Sequence, residues 1–180
     1  MAARNSLHSY GWISRAIHWI VALIILGMLV LGTYLTRMQP SLSNLWLFGL
    51  HKSIGMCLLA LMVLRLIWHR ISPPPPTLSA GIPAWQLRTS KIVHVLLIVL
   101  VLMIQISGWI GSSATGIDMV LFNTVKVPPI APVSETWDNN AFLAHGILTK
   151  ILMALIALHI AGALHRHFVH HDDTLKRMFR

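Results

Sequence analysis

The chain has 180 residues, 56% of them apolar and only 11% charged, with a mean hydropathy of +0.70; a water-soluble domain carries roughly 25% charged residues, so that class is excluded. Fourteen Lys and Arg against five Asp and Glu leave a formal charge of +9. The hydropathy argues against nucleic acid as the partner of that charge, because a DNA-binding face needs a soluble body to carry it. The single cysteine, Cys57, excludes a disulfide framework and a cysteine-ligated zinc or iron–sulfur centre.

Four stretches are long and apolar enough to cross a hydrocarbon core, which takes about 20 helical residues each. The first, 16–35, is too long for the apolar core of a cleaved signal peptide, has no small-x-small site, and carries His18 near its start. A short connection over 36–44 leads to the second span, 45–68, with His51 near its start. A proline-rich connection over 69–91, containing Pro73 to Pro76, precedes the third, 92–110, which opens with His94. The longer connection 111–140, with Pro128, Pro129 and Pro132, leads to the fourth, 141–168, which holds both His145 and His159. No long polar segment or internal repeat divides the chain. The expected fold is one all-α integral membrane four-helix bundle over residues 1–180, with prosthetic groups held between helices.

Basic residues orient the bundle. With the N-terminus inside, Arg4, Arg15, Arg65, Arg70, Arg88, Lys91, Arg166, Lys176, Arg177 and Arg180 fall inside, against Arg37, Lys52, Lys126 and Lys150 outside. Both termini are therefore expected in the cytoplasm, and most of the positive charge serves topology and anionic headgroups. The seven tryptophans lie near span ends or in loops, as interfacial aromatics do.

An ionisable side chain at membrane depth is costly and calls for a partner. From His145 to His159 is fourteen residues, which advances a helix by about 1400°, about 40° short of four turns, and by about 21 Å. One face of the fourth helix thus presents an imidazole near each membrane surface. Alternating topology puts His18 at the depth of His159 and His51 at the depth of His145. Facing imidazoles on neighbouring helices suit axial ligation of a haem iron from both sides. Taken singly, each histidine reads more readily as a hydrogen-bonded packing residue or proton relay; the pairing by depth favours ligation. Gly55, Gly146 and Gly162 are small residues on which a porphyrin could lie.

Other polar residues leave alternatives open. Arg65 lies fourteen positions after His51, on its face but at the inner level. Arg15, Arg65 and Lys52 could pair with haem propionates or snorkel to headgroups. His94 is a candidate for a quinone site or for support of a ligand. His8 and His69 read as interfacial, and the run His165, His167, His170, His171 reads as a cationic cap rather than a metal-binding tract. A histidine-lined metal-ion or proton transporter belongs to a different class. All five carboxylates lie outside the spans while Lys52, Arg65 and Lys150 lie within or beside them, a lining that suits an anionic cofactor better than a cation.

Read in order, several strings resemble the bacterial cytochrome b561 family of four-helix, di-haem membrane cytochromes. They are Ser14-Arg15-Ala16-Ile17-His18-Trp19, His51-Lys52-Ser53-Ile54-Gly55 with Arg65 and the proline run, Ala144-His145-Gly146, Leu158-His159-Ile160-Ala161-Gly162-Ala163-Leu164-His165, and the tail Asp173-Thr174-Leu175-Lys176-Arg177-Met178. The resemblance covers essentially the whole chain. It implies two haem b groups, an inner one on His18 and His159 and an outer one on His51 and His145, in a multi-pass protein of the bacterial inner membrane. It also implies the activity of at least some members, a superoxide oxidase that takes electrons from superoxide on the periplasmic side and passes them to ubiquinone; from their charge and position, Lys52 and Lys150 are then the candidates at the outer haem and Arg65 and His94 those at a quinone site. Lys52, Lys126 and Lys150 could attract an anion, although Asp118, Glu135 and Asp138 share that side. The alternative within the same class is a cytochrome b subunit relaying electrons for a partner dehydrogenase or hydrogenase, docked to a redox protein.

Overall fold

A computed structural model describes residues 2–179; Arg180, counted above on the inner side, lies outside them. The chain runs α1 (Trp12–Arg37), α2 (Trp46–Ile71), α3 (Ala84–Ala114), the strands β1 (Met119–Leu121) and β2 (Val125–Val127), α4 (Glu135–Phe168) and a single 3-10 turn over Lys176–Met178. All four α-helices are long and apolar enough to cross a membrane. They outrun the apolar stretches of the sequence because their end turns reach into the interface. The extension is largest in α3, which starts directly after Pro83, and in α4 all of it is at the N-terminal end. There Ser134 caps the first turn by accepting from the Trp137 N–H, and Glu135 and Asp138 oppose the positive helix end.

The connection 111–140 contains a β-hairpin that periodicity did not reveal. β1 and β2 pair antiparallel with Met119 opposite Val127 and Leu121 opposite Val125, and the hairpin lies on α2. Its turn places Phe122 at φ 44° and Asn123 at φ 58°. Asparagine tolerates the left-handed region, but a phenylalanine there is uncommon. What holds it is a tertiary bond: the Phe122 N–H donates to Ser53 Oγ at 2.9 Å, while the Ser53 hydroxyl donates to the Gly49 carbonyl at 2.8 Å.

The helices associate chiefly as α3 on α4 and α1 on α2, with α2 also meeting α3. Close approach of α3 and α4 is visible at Gly111, where an added Cβ would stand 3.0 Å from the Phe142 ring. The buried core is small and central: Val21, Leu58, Met62, Leu100, Val101, Ile104 and Leu152. Outward faces carry exposed apolar side chains such as Leu23, Val30, Leu64, Val95 and Leu143. Such faces have their solvent in lipid, where only fully hydrogen-bonded helices survive.

The two termini and the proline-rich segment lie together at one end of the bundle. Asn5 donates to the carbonyls of Ser72 and Pro73, and its own Oδ1 receives the Gly11 N–H. Arg166 Nε donates to Asp172 at 2.6 Å and its Nη2 to the Leu78 carbonyl at 2.7 Å; Arg177 reaches the Pro76 carbonyl and the Trp19 indole N–H the Met178 carbonyl. The hairpin marks the opposite end.

Candidate functional site

Fourteen-residue spacing organises all four helices. Each carries one special residue at the terminal level and another fourteen positions away at the hairpin level: His18 and Gly32 on α1, Arg65 and His51 on α2, His94 and Gly108 on α3, His159 and His145 on α4. The structure gathers these into two layers. Sequence reading picked out the α2 and α4 members of this series but missed Gly32 and Gly108. The signal was available, since each lies one such interval beyond a histidine.

At the terminal level the His18 and His159 rings face each other with centroids 6.5 Å apart and planes at 57°. At the hairpin level the His51 and His145 centroids are 6.2 Å apart, with planes at 71°. An imidazole nitrogen sits about 2.0–2.1 Å from a metal it ligates and its ring centre about 1.1 Å behind that, so two rings on opposite sides of one iron have centroids about 6.3 Å apart. Both pairs fit that span. His94 and His159, at 5.2 Å and 69°, stand too close to admit an iron between them and are instead in edge contact. The pairs join α4 to α1 and α2 across the space between the two helix hairpins. The apolar core lies between the layers.

The surroundings of the two layers differ. At the terminal level, Arg65 Nη2 stands 3.4 Å from His18 Nδ1 and Trp19 packs edge-on to the His18 ring at 5.3 Å. Arg65 is half-buried and turned toward the histidines rather than outward. A guanidinium among imidazoles offers donors to an anionic group such as a propionate. Arg15 is buried elsewhere, in the wall of a cleft of about 320 Å³ with Trp12, Ala16, Trp19, Met178 and Phe179. At the hairpin level, backbone takes the place of charge. A Cβ on Gly32 would stand 3.3 Å from His51 Cε1, and one on Gly108 3.1 Å from His145 Cε1. The glycines expected to support a porphyrin lie differently: Gly55 faces the Gln105 side chain and Met28, while Gly146 and Gly162 border open space.

The lysines of the hairpin end are partly engaged. Lys126 pairs with Asp118 at 2.7 Å, Lys52 is half-buried within electrostatic reach of Asp138, and Lys150 is exposed. The histidine run at the end of α4 splits up, with His170 packed on His165 and meeting Gln86 Oε1 at 3.1 Å, and His167 on Phe168.

An apolar four-helix bundle that sets imidazole pairs at iron-spanning distance, one pair at each of two depths, has the architecture of a transmembrane electron-transfer protein of the cytochrome b class. The family described as "Prokaryotic cytochrome b561" matches residues 9–180, and the chain belongs to it. It is 35% identical to "Cytochrome b561 homolog 2" of Escherichia coli (strain K12), over 99% of this chain and 95% of that protein. It is 27% identical to "Cytochrome b561 homolog 1" of the same organism, over 90% and 92%, and 24% identical to "Probable superoxide oxidase CybB" of Yersinia pestis, over 94% of each. Family membership carries haem b binding and a multi-pass place in the bacterial inner membrane, and it decides for electron transfer over histidine-lined transport.

Proposed function

We propose that the chain binds two haem b groups and moves electrons from superoxide, at the hairpin side, to ubiquinone in the membrane. The observation that carries the di-haem part is the spacing of the two imidazole pairs, 6.5 and 6.2 Å between centroids, at two depths. His18 and His159 hold the haem at the terminal side, and His51 and His145 the one at the hairpin side. When bound, each haem supplies a reversible one-electron couple. Two histidines would hold each haem and leave no position for oxygen at iron, so donor and acceptor would meet the protein at its edges. The overall reaction takes two superoxide anions, one quinone and two protons to two dioxygen molecules and one quinol.

Superoxide as donor is supported by the name of the Yersinia pestis relative and by Lys52 and Lys150 near the hairpin-side pair. The Lys126–Asp118 pair and the proximity of Asp138 to Lys52 temper that field, and Lys150, five residues past His145, lies deeper within the α4 span. At the terminal side, Arg65 and His94 adjoin the His18–His159 pair and offer polar groups to a quinone carbonyl. Arg65, Arg15 and Lys52 are also the candidates to pair with propionates. With the basic bias of the sequence, the terminal side is cytoplasmic and the hairpin side periplasmic.

Pyridine haemochrome assay of purified protein tests the cofactor reading, with two extractable haem b per chain expected and one or none sinking it. Stopped-flow mixing with superoxide tests the donor: rapid reduction of both haems is expected. A protein reduced only by a partner dehydrogenase or hydrogenase would favour the subunit role. Replacing Arg65 or His94 by Ala should slow reoxidation by added ubiquinone while haem is retained. If haem occupancy or potential changes first, the residue serves the propionates or the ligand instead.

A further inference from the structure

α3 supplies no ligand in the reading above, yet it meets the His145 ring at three points. His145 Nδ1 lies 2.9 Å from the Ile104 carbonyl oxygen and 3.3 Å from Ser107 Oγ. The buried Ser107 hydroxyl donates to that same carbonyl at 2.9 Å. A Cβ on Gly108 would stand 3.1 Å from His145 Cε1 and 3.2 Å from Nδ1. The ring therefore rests on α3 where the helix has no side chain to keep it off, with its Nδ1 aimed at an exposed carbonyl lone pair. Its partner is treated otherwise. His51 Nδ1 is buried and finds no hydrogen-bond partner among the described residues, and Gly32 faces its Cε1 edge.

An imidazole that binds a metal through one nitrogen keeps its proton on the other. Donation from that N–H to a carbonyl orients the ring and makes it more basic toward the metal. We propose, building on the assignment of His51 and His145 as axial ligands, that Ile104, Ser107 and Gly108 form a seat on α3. The seat gives His145 a donor strength that His51 lacks and so sets the potential of the hairpin-side haem alone. Ser107 and Gly108 are positioning residues that act through His145. Ile104 supplies the acceptor from its backbone, so no substitution at that position removes it directly. Its two neighbours are the handles.

They pull in opposite directions. Gly108→Ala forces the ring a few tenths of an ångström from its place, weakens the Nδ1–H bond to Ile104, and raises the midpoint potential of the hairpin-side haem. Ser107→Ala removes the competing donor from the Ile104 oxygen, strengthens what remains for His145, and lowers that potential. Ser107→Thr keeps a hydroxyl and returns it toward the wild-type value.

The experiment is potentiometric titration of the purified holoprotein, with electron paramagnetic resonance of the low-spin ferric haems, on these three variants. His145→Ala identifies the hairpin-side component by its loss. Opposite shifts confined to that component, with its ferric signal displaced and the other unmoved, are the expected result. Shifts of equal sign, an unmoved hairpin-side component, or an equal shift in the other haem would overturn the seat. If Gly108→Ala does not assemble, a downward shift in Ser107→Ala reversed by Ser107→Thr supports the seat, and its absence overturns it. Retention of both haems by His145→Ala refutes the ligand assignment itself, an outcome distinct from a failed seat.

Discussion

His145 and His159 share one face of α4 yet belong to different layers, so the loss of each should be separable. His145→Ala is expected to remove or convert only the component whose other ligand is His51, and His159→Ala only the one paired with His18. Redox titration reads this directly, and loss of the same component in both variants contradicts the two-layer arrangement. All four histidines were legible in the sequence, because imidazole at membrane depth is rare and helical arithmetic gives its depth and face. Gly32 and Gly108 were legible only as positions one fourteen-residue interval beyond a histidine; that a ring presses on each of them is a matter of packing. Of the glycines expected to lie against a porphyrin, Gly55 faces Gln105 and Met28, while Gly146 and Gly162 border open space.

At the scale of elements, two attachments of a helix to a connecting segment invite measurement. Ser53 links α2 to the hairpin turn by receiving the Phe122 N–H at 2.9 Å. Ser53→Ala should leave the helices intact but cost about 1 kcal/mol in the hairpin, the typical net worth of one hydrogen bond. Faster amide exchange at Phe122 and easier cleavage in the 119–127 segment would report it; unchanged exchange means the turn holds itself. The second attachment is the clamp of Arg166, Asp172 and the Leu78 carbonyl, with the two charged side chains only 10% and 14% exposed. Burial by itself raises the Asp172 carboxyl, but the Thr174 N–H and side chain and the Arg166 guanidinium together hold it below its ordinary value. A carboxyl depressed by folding contributes stability that is present above the ordinary carboxylate range and is lost as pH falls through the lowered value. Asp172→Asn should therefore destabilise the tail and proline segment by about 1.5–3 kcal/mol at neutral pH, the usual range for a hydrogen bond to a charged group. Thermal melts in detergent should show the gap between variant and wild type closing in acid; a constant gap would mean that the carboxylate charge contributes nothing.

For the whole molecule, four crossings return the chain to the side from which it started, and the ten-to-four distribution of basic residues is the ground for proposing that this side is cytoplasmic. Reporter fusions at the two termini should both give cytoplasmic signals. A periplasmic signal from both would invert the sidedness of the proposed donor and acceptor, and opposite signals would break the four-span topology. Here the structure contributes what topology alone leaves unspecified: the termini and the proline-rich segment form one end, tied by Asn5, Arg166 and Arg177, and the hairpin forms the other.

The sequence by itself determined the membrane class, the number of crossings and the depth of every buried histidine. These follow from hydropathy and from the fixed rise and rotation of an α-helix, which are local quantities. Only the tertiary structure decided which rings face one another at an iron's span, that His94 touches His159 without admitting a metal, and that His145 alone of its pair is seated on a carbonyl of α3. It also decided the hairpin, whose strained Phe122 depends on a hydroxyl 69 residues away in the chain. Those features depend on how the helices rotate and pack against each other, and that rotation is set by the sum of many contacts between segments distant in sequence.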